Sequence, residues 1–498
     1  MALIQITDLT FAYPGSFDNV FEHVSFQLDT DWRLGLTGRN GRGKTTLLRL
    51  LQGQYPHQGT ITSPGGFEYF PYPVPDAALT PLELLERGFP DVPEWRFRRE
   101  LAPLAVTDDA LYRPFSTLSG GEQAKILLAL LFAREGRYLL IDEPTNHLDE
   151  TGRALVSRYL AKKSGFLLVS HDRAFLDGCV DHILSIGRSS IEVQKGNFSS
   201  WYENKQRQDA FELAQNAQLK KEIGRLKQAA RQSRAWADKV ESTKIGPHSA
   251  KVTGEADAMG GRAYIGEQSR RMQQRRKNLE RRQTAAIEEK SALLKDIEQA
   301  APLKLHQLPY HTNRLALLRD VSVCYGGVPV FSGVSFSVEQ GDRIALRGAN
   351  GTGKTSLLRL LCGEDVPHSG TVERGSRLQI SYVQQDPSGL RGDLSAYAAQ
   401  HGLDESLFKA ILRKLDFARV QFEKDMADFS AGQKKKVLLA RSLCEPSHLL
   451  VWDEPLNYVD VLSRIQLEEL LLEVQPTILF VEHDRVFCER VATKTVTL

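Results

Sequence analysis

The stretch Gly38-Arg-Asn-Gly-Arg-Gly43-Lys44-Thr45 decides the fold, and a second version, Gly348-Ala-Asn-Gly-Thr-Gly353-Lys354-Thr355, lies 310 residues further along. Each follows an apolar, strand-like run and opens into a leucine-rich helical stretch, the setting of a phosphate-binding loop. Glycines there let backbone N–H groups approach phosphate oxygens, and the new helix presents its positive end to them. One match could be an ordinary glycine-rich turn, but two in the same context indicate two nucleotide sites.

Other motifs repeat with the same spacing. The separation is 310 to 312 residues for four pairs of landmarks: Lys44 and Lys354, Ser119 and Ser430, Glu143 and Glu454, and His171 and His483. A constant offset in a constant order predicts a tandem duplication of one domain. Each copy alternates short apolar runs with helical patterns, which is typical of a parallel sheet covered by helices. We therefore predict an α/β chain with domains at 1–200 and 301–498.

The motif order resembles that of the ATP-binding cassette (ABC) family. In each half a Ser-Gly-Gly or Ser-Ala-Gly signature follows the phosphate loop, then an apolar strand ending in Asp-Glu, and then a His-Asp pair. The resemblance covers both halves of the chain. It implies two tandem ABC-type P-loop ATPase domains that hydrolyse ATP to ADP and phosphate, with ATP and Mg²⁺ as cofactors.

The resemblance also implies the catalytic roles. Glu143 and Glu454 would orient and deprotonate the attacking water, and His171 and His483 would sense the γ-phosphate. An Asp-Glu pair alone is more typical of a strand end and turn, and a lone His is usually structural, so both roles depend on the motif order. Magnesium would be held by Thr45, Asp142, Thr355, Gln385 and Asp453.

Nucleotide binding is expected to be shared between the halves. In the family, the signature of one cassette binds the γ-phosphate held by the other, so ATP joins a closed form and hydrolysis lets it open. Tyr13 and Tyr325 are placed to stack on adenine, although an aromatic residue near a strand end is more often core. The lysines Lys44 and Lys354 would bridge the terminal phosphates. Ser430 and Gly432 would work with Lys44, and Ser119, Gly120 and Gly121 with Lys354. The other expected ATP contacts are Gly38, Asn40, Gly41, Gly43, Thr45, Thr46, Gly348, Asn350, Gly351, Gly353, Thr355, Ser356 and Gln385.

The two sites are expected to differ. Ala431 and Gln433 replace the Gly and Glu of the other signature. The family places a glutamine near the γ-phosphate, and Gln385 fits that pattern. Tyr72 occupies the matching place in the first half and cannot supply an amide oxygen to Mg²⁺. We predict that both sites bind ATP and that their turnover is unequal.

The middle of the chain, 201–300, is predicted as a helical-hairpin linker. Apolar residues recur at helical spacing from Phe211 to Val240, about 45 Å at 1.5 Å per residue, and at seven-residue spacing from Ile265 to Leu293. Two such helices would pack antiparallel as a coiled-coil hairpin. The join at 242–264 contains several glycines and Pro247, which predicts a long tip.

The linker carries the positive charge of the chain. It has 21 Lys+Arg and 14 Asp+Glu, so the other residues carry a net −5 within a total of +2. A solvated helix with i,i+4 ion pairs is the ordinary alternative, but between Arg262 and Arg282 eight basic residues meet two acidic ones. We favour contact with nucleic-acid phosphates over a solvated helix. Among nucleic acids, a folded RNA recognised by its shape fits this pattern better than a DNA site. The candidate RNA contacts are Lys244, Lys251, Arg262, Arg270, Arg271, Arg275, Arg276, Lys277, Arg281 and Arg282.

Two cassettes with a basic hairpin between them and no membrane span resemble the ABC-F family of ribosome-associated ATPases. The resemblance implies binding to the 70S ribosome, with ribosomal RNA and P-site tRNA as partners, from the tRNA exit site toward the peptidyl transferase centre. Housekeeping members often insert an extra arm in the first cassette, between the glutamine loop and the signature. Here 47 residues separate Tyr72 from Ser119, which leaves no room for such an arm. Three features resemble the antibiotic-resistance, ribosomal-protection branch (Lsa and Vga type): the missing arm, the long tip, and a chain that ends shortly after His483. Such members dislodge lincosamides, pleuromutilins and streptogramin A.

Composition is ordinary for a soluble globular chain, with 41% hydrophobic and 25% charged residues. The five scattered cysteines and the lack of a leader segment favour a cytoplasmic protein, expected to be a monomer with an intramolecular cassette pair. Two alternatives stay open: a housekeeping translation factor without drug specificity and the ATPase subunit of a membrane transporter. A chromosome-maintenance ATPase is excluded, because each cassette is complete on one side of the coil.

Overall fold

A computed structural model describes residues 2–14, 19–146, 148–187, 190–244, 303, 305, 307–326, 328–349 and 351–498, with five single positions between 274 and 285. The chain forms two compact units. One comprises Met1–Trp201 and Ala300–Leu498, and the other is Tyr202–Gln299. We call Met1–Trp201 the first copy and Ala300–Leu498 the second copy. Within the described residues, no helix is both long and apolar enough to cross a membrane.

The first copy contains two sheets with helices packed on them. Its strands are β1 (Leu3–Phe11), β2 (Phe21–Asp29), β3 (Arg33–Thr37), β4 (Gln58–Thr62), β5 (Gly66–Phe70), β6 (Arg137–Asp142), β7 (Phe166–Val169), β8 (His182–Ile186) and β9 (Ile191–Lys195). Its helices are α1 (Lys44–Leu51), α2 (Pro81–Gly88), α3 (Glu94–Leu101), α4 (Gly120–Ala133), α5 (Glu150–Leu160) and α6 (Arg173–Cys179). One sheet is antiparallel with order β2-β1-β4. The other has order β5-β6-β7-β3-β8-β9 and is parallel except for the edge strand β9, which pairs antiparallel with β8.

A single long helix, α7 (Phe198–Lys244), follows the first copy. It begins 13 residues before the predicted start at Phe211, because Asn197 supplies a helix cap. The side-chain oxygen of Asn197 accepts the N–H of Ser200 at 3.0 Å. Positions 274, 278, 281, 282 and 285 are also helical. Most of the predicted tip, 242–264, and the packing of the second predicted helix lie outside the described residues.

The second copy repeats the arrangement of the first. Its strands are β10 (Arg314–Tyr325), β11 (Val328–Glu339), β12 (Arg343–Arg347), β13 (His368–Arg374), β14 (Ile380–Val383), β15 (Leu449–Asp453), β16 (Ile478–Val481) and β17 (Lys494–Thr497). Its helices are α8 (Lys354–Cys362), α9 (Leu394–Gln400), α10 (Glu405–Lys414), α11 (Ala431–Cys444), α12 (Val461–Val474) and α13 (Arg485–Val491). The sheet orders are β11-β10-β13 and β14-β15-β16-β12-β17. The predicted α/β class with two tandem domains is confirmed.

The parallel sheets bring the motifs of each copy to one edge. Strands β7 and β16 are buried at every residue, as expected for apolar runs covered on both faces. In each sheet the strand before the phosphate loop pairs with the strand before the histidine, which pairs with the strand ending in Asp-Glu. Because parallel strands end at the same edge, the loop, the carboxylates and the histidine meet there.

A buried ion pair joins the two copies on one side. Arg173, at the start of α6, contacts the carboxylate of Glu468 on α12, and the Glu468 side chain is fully buried. Arg490 contacts the same carboxylate. The repeat places Arg485 at the position of Arg173, but its side chain is 65% exposed and pairs with Glu489 of its own helix. The ion pair between the copies is therefore present in one of the two equivalent positions.

We expect Arg173→Met to destabilise the protein by about 3 kcal/mol, because the change removes one cation from a buried carboxylate. The matched control is Arg485→Met, which removes an exposed i,i+4 pair and should leave the free energy of unfolding nearly unchanged. Denaturant unfolding of both variants measures the difference. Equal losses in the two variants would contradict the importance of the Arg173–Glu468 contact.

Candidate nucleotide sites

A cavity of about 840 Å³ lies beside the second phosphate loop and takes its lining from both copies. We call it the second site. The second copy contributes Tyr325, Gly351, Gly353, Lys354, Thr355, Ser356, Gln385, Glu454 and His483. The first copy contributes Ser119, Gly120 and Gly121, at the start of α4, with Asn146 and Asp149. The structure therefore brings together the residues that the ABC resemblance expects to share one nucleotide.

The phosphate loop of the second site is arranged around Lys354. Its ammonium donates to the carbonyl oxygens of Gly348 at 2.9 Å and Ala349 at 2.8 Å. Burial lowers the pKa of Lys354. Gly353 has a φ of 83°, in the left-handed region, and a Cβ there would lie 2.6 Å from the Val330 side chain. Glycine is therefore required where the loop turns into α8.

Glu454 and His483 form a pair at the edge of the parallel sheet. Nε2 of His483 lies 3.5 Å from Oε1 of Glu454, and Nδ2 of Asn457 donates to Oε2 at 2.5 Å. Burial acts to raise the pKa of Glu454, but the hydrogen bond and the charge of His483, with smaller contributions from Gln385 and Lys435, together outweigh burial, and the pKa falls below the ordinary value. Glu454 is thus ionised at neutral pH and able to accept a proton from water. Its φ of 47° is uncommon for a residue other than glycine, as at many functional positions.

The residues expected to hold magnesium fit a cation. Neither carboxylate oxygen of Asp453 makes a hydrogen bond to the described residues, and both are buried. Burial raises the pKa of Asp453 to about 6. A buried carboxylate without a partner is costly, and a hard cation with oxygen ligands would relieve that cost. Thr355, Gln385 and Asp453 would hold Mg²⁺, which neutralises phosphate charge when bound.

The first site surrounds Lys44 in a similar way. Its ammonium donates to the carbonyl oxygen of Gly38 at 2.7 Å and to Asn40 Oδ1 at 3.3 Å. The hydroxyl of Thr45 donates to Asp142 Oδ2 at 3.1 Å, so the candidate magnesium ligands of this site are adjacent. Both adenine candidates hydrogen-bond the helix after their loop: Tyr13 to Thr46 at 2.7 Å, and Tyr325 to Ser356 at 3.1 Å.

The first phosphate loop touches the second copy directly. Nδ2 of Asn40 donates to the carbonyl oxygen of Tyr458 at 2.8 Å. Gly432 of the second signature lies beside this contact, and a Cβ on it would be 2.4 Å from the same oxygen. A side chain at position 432 would clash with the backbone of its own copy and would also crowd Asn40 Nδ2 of the first copy, 3.0 Å from that Cβ. Lys44 is therefore close to Gly432, and Ser430 precedes the same helix start, as the shared-site hypothesis expects.

The two signature helices begin in the same way despite their sequence differences. Ser119 caps α4 and its backbone N–H donates to Glu122 at 2.8 Å. Ser430 caps α11 and its N–H donates to Gln433 at 2.9 Å. Gln433 therefore preserves the capping box that the acidic residue makes. Ala431 is the first helical residue and is exposed, so the replaced glycine does not disturb the helix start.

The carboxylates of the two sites differ in the direction of their pKa shifts. His171 Nε2 lies 3.3 Å from Glu143 Oε1, close to the matching distance in the second site. Burial, with a smaller contribution from Asp142, raises the pKa of Glu143 to about 8. Burial also lowers the pKa of His171 well below its ordinary value. The pKa of Glu143 is therefore raised, whereas that of Glu454 is lowered.

Among the described residues of the first copy, no glutamine occupies the position that Gln385 has in the second copy. The ring of Tyr72 packs against Phe89 with centroids 4.9 Å apart. Instead, the hydroxyl of Tyr69 donates to Asp142 Oδ2 at 3.0 Å, a contact that the sequence reasoning missed. Tyr69 lies three residues before Tyr72, at the end of an apolar strand, so its pattern indicated a core residue.

Two buried lysines beside the sites were also missed. Lys436 donates to Asp460 Oδ2 at 2.8 Å and to the Leu415 carbonyl at 2.7 Å, and Lys435 is enclosed on the same helix. The run of three lysines after Gln433 was their signal in the sequence. Such a run near a helix start normally indicates a solvated surface.

The RNA candidates are described at two positions. Arg281 and Arg282 are helical and exposed. Lys251, Arg262, Arg270, Arg271, Arg275, Arg276 and Lys277 lie outside the described residues, as do Asn350 and the side chain of Lys244.

Comparison with known proteins agrees with this geometry. The family model described as "ABC transporter" matches residues 21–68 and 331–457, which include both phosphate loops. The chain is an ABC-type ATP hydrolase. The two copies therefore carry ATP-binding domains, and their relatives are ABC-F family proteins, so the predicted relationship is confirmed.

Two relatives and one solved structure define the similarity. The ribosome protection protein VmlR of Bacillus subtilis is 27% identical over 97% of this chain and 85% of its own length. The ATP-binding protein Uup of Caulobacter vibrioides is 29% identical over 96% of this chain and 74% of its own length. The archaeal ribosome recycling factor aABCE1, solved with the stalk protein aP1, has a TM-score of 0.62 at 18% identity and covers 98% of this chain and 87% of its own. That structural likeness shows the tandem fold alone.

We expect Glu454→Gln to remove most single-turnover hydrolysis and Glu143→Gln to leave most of it, because the lowered pKa of Glu454 favours the carboxylate form that accepts a proton, whereas the raised pKa of Glu143 opposes it. Loss of a general base typically costs 10²- to 10⁴-fold at its own site. Rapid-mixing measurements of each purified variant test this, with ATP binding measured in parallel to show that both sites remain filled. Equal residual rates in the two variants would contradict the inequality of the sites.

Proposed function

We propose that the chain is a ribosome-binding ABC-F ATPase that protects the ribosome from antibiotics. ATP binding would close the two copies and hold the linker in the ribosome, and hydrolysis would release it. The observation that supports this best is the nucleotide cavity lined by both copies of one chain. A site that is complete only when the copies meet can convert nucleotide state into a change between them.

The residues of the second site suggest how closure and release occur. Lys354 and the N–H groups at the start of α4 would contact the same γ-phosphate from opposite copies. Glu454 would take a proton from the attacking water, and His483 would keep that carboxylate ionised. After cleavage the phosphate no longer bridges the copies, so the closed form loses its attraction.

The linker supports a ribosomal partner. Helix α7 has 47 residues, about 70 Å at 1.5 Å per residue, long enough to extend well beyond a cassette. The basic excess of 201–300 suits RNA phosphates. The relative VmlR is named a ribosome protection protein. We therefore propose ribosomal RNA and P-site tRNA as contacts of a monomer that acts in the cytoplasm, from the tRNA exit site toward the peptidyl transferase centre.

We expect the Glu143→Gln/Glu454→Gln variant to cosediment with 70S ribosomes in ATP and to dissociate in ADP, because loss of both bases traps the closed form. The control is Lys44→Ala/Lys354→Ala, which lacks both phosphate-binding lysines and should stay unbound. Raising salt from 50 to 200 mM should weaken binding on the order of 10³-fold if six or more phosphates are contacted. Absence of the trapped variant from the ribosomal fraction would exclude the ribosome as partner.

A housekeeping translation factor is the second candidate function. The relative Uup matches with 29% identity and its name carries no drug-related role. The ribosome experiment gives the same result for both candidates, so drug susceptibility is the property that distinguishes them.

We expect expression of the intact chain to raise resistance to lincosamides, pleuromutilins and streptogramin A in a susceptible host. Replacing 242–264 with a short glycine-serine connection should abolish the rise, because the tip is the part proposed to approach the drug site. The control is a drug outside these three classes, whose inhibitory concentration should not change. Unchanged inhibitory concentrations for all three classes would favour the housekeeping role.

A further inference from the structure

The second site contains a buried cation that belongs to neither the phosphate loop nor the signature. Lys435 lies on α11 and its side chain is completely buried. Its ammonium donates to the backbone carbonyls of Gln384 at 2.8 Å, Gln385 at 3.2 Å and Asp453 at 3.2 Å. It therefore binds the segment that carries the candidate magnesium glutamine and the strand end that carries the catalytic carboxylate.

Burying the ammonium of Lys435 costs free energy of folding. A buried ammonium loses its hydration, and within the described residues no carboxylate oxygen lies within ion-pair distance of Lys435. Three carbonyl oxygens satisfy its three N–H donors instead. The acidic groups that act on it from a distance are those of Glu482, Asp453, Glu454 and Asp386. A fully satisfied ammonium fixes the three peptide groups it joins more firmly than an apolar side chain could.

The first copy lacks this cation. The offset of 311 residues places Ala124 on α4 at the position of Lys435, and Ala124 is buried without any polar group. The same copy has Tyr72 where the second has Gln385, and its ring packs against Phe89. The lysine and the glutamine that it would hold are therefore present together in one copy and absent together from the other.

We propose that Lys435 is a positioning residue of the second site, which fixes the Gln385 segment against the end of β15 so that Gln385, Asp453 and Glu454 keep their catalytic arrangement. Lys435 acts through these residues and does not line the cavity. The proposal rests on Glu454 being the base of this site. It requires no ribosome, so purified protein suffices to test it.

The test is steady-state hydrolysis in the Glu143→Gln background, where the second site supplies the turnover. We expect Lys435→Met to lower kcat roughly 10- to 100-fold, as small displacements of catalytic groups do. The KM for ATP should stay within about threefold, because the phosphate loop is untouched. Lys435→Arg retains a donor cation and should recover part of kcat. The matched control is Lys434→Met, the partly exposed neighbour on α11, which should keep the parental kcat and KM.

Each result has a defined meaning. An unchanged kcat in Lys435→Met, or a kcat in Lys435→Arg no higher than in Lys435→Met, overturns the positioning role. A rise in KM that accounts for the whole loss of kcat/KM overturns it too, since general damage to the copy would act in that way. If thermal unfolding shows that Lys435→Met is not folded at the assay temperature, Lys435→Arg is compared with Lys435→Gln by the same criterion. Lack of hydrolysis in the Glu143→Gln parent overturns the assignment of Glu454, and the proposal with it.

Discussion

The meeting of one helix start with the opposite phosphate loop is the contact on which the rest of the structure depends. At the second site, Ser119 and the glycines that follow it line the same cavity as Lys354. A helix start offers free N–H groups and a positive end, and a lysine offers a full charge. Neither copy alone can enclose a triphosphate from both sides. The duplication and the linker keep the two halves of each site within one chain.

The copies use one scaffold with different electrostatics. Glu143 and Glu454 share their backbone conformation and a histidine partner, yet burial raises the pKa of Glu143 while hydrogen bonding from His483 lowers that of Glu454. The first site has close polar contact with the other copy through Asn40. The opposite pKa shifts of the two carboxylates are consistent with unequal turnover at the two sites.

Local patterns were sufficient to predict the duplication and the placement of the motif residues. The phosphate loops, the Asp-Glu pairs and the histidines each follow an apolar strand, and parallel strands must end at a common edge. The start of α7 was predicted too late, because its first turns lack a clear apolar periodicity and depend on the cap at Asn197. Caps made by a single side chain are weak signals in a sequence.

Contacts between distant segments could not be predicted. The Arg173–Glu468 pair joins residues 295 positions apart, and a charged side chain on an amphipathic helix gives no sign of its partner. The burial of Lys435 depends equally on the Gln385 segment and on β15, which are remote in sequence. The sequence likewise gave no sign that Ala431 and Gln433 leave the start of α11 intact. For Arg173 and Lys435 the polar partner that explains the residue comes from another element.

Photolabelling with an ATP analogue that carries a reactive group on its γ-phosphate tests the shared site most directly. We expect the label that occupies the second site both on the peptide with Lys354 and on the peptide with Ser119. Lys354→Ala should remove both labels together, because one nucleotide makes both contacts. Labelling of the Lys354 peptide with none on Ser119 would show that each copy binds its nucleotide alone, and would contradict the account.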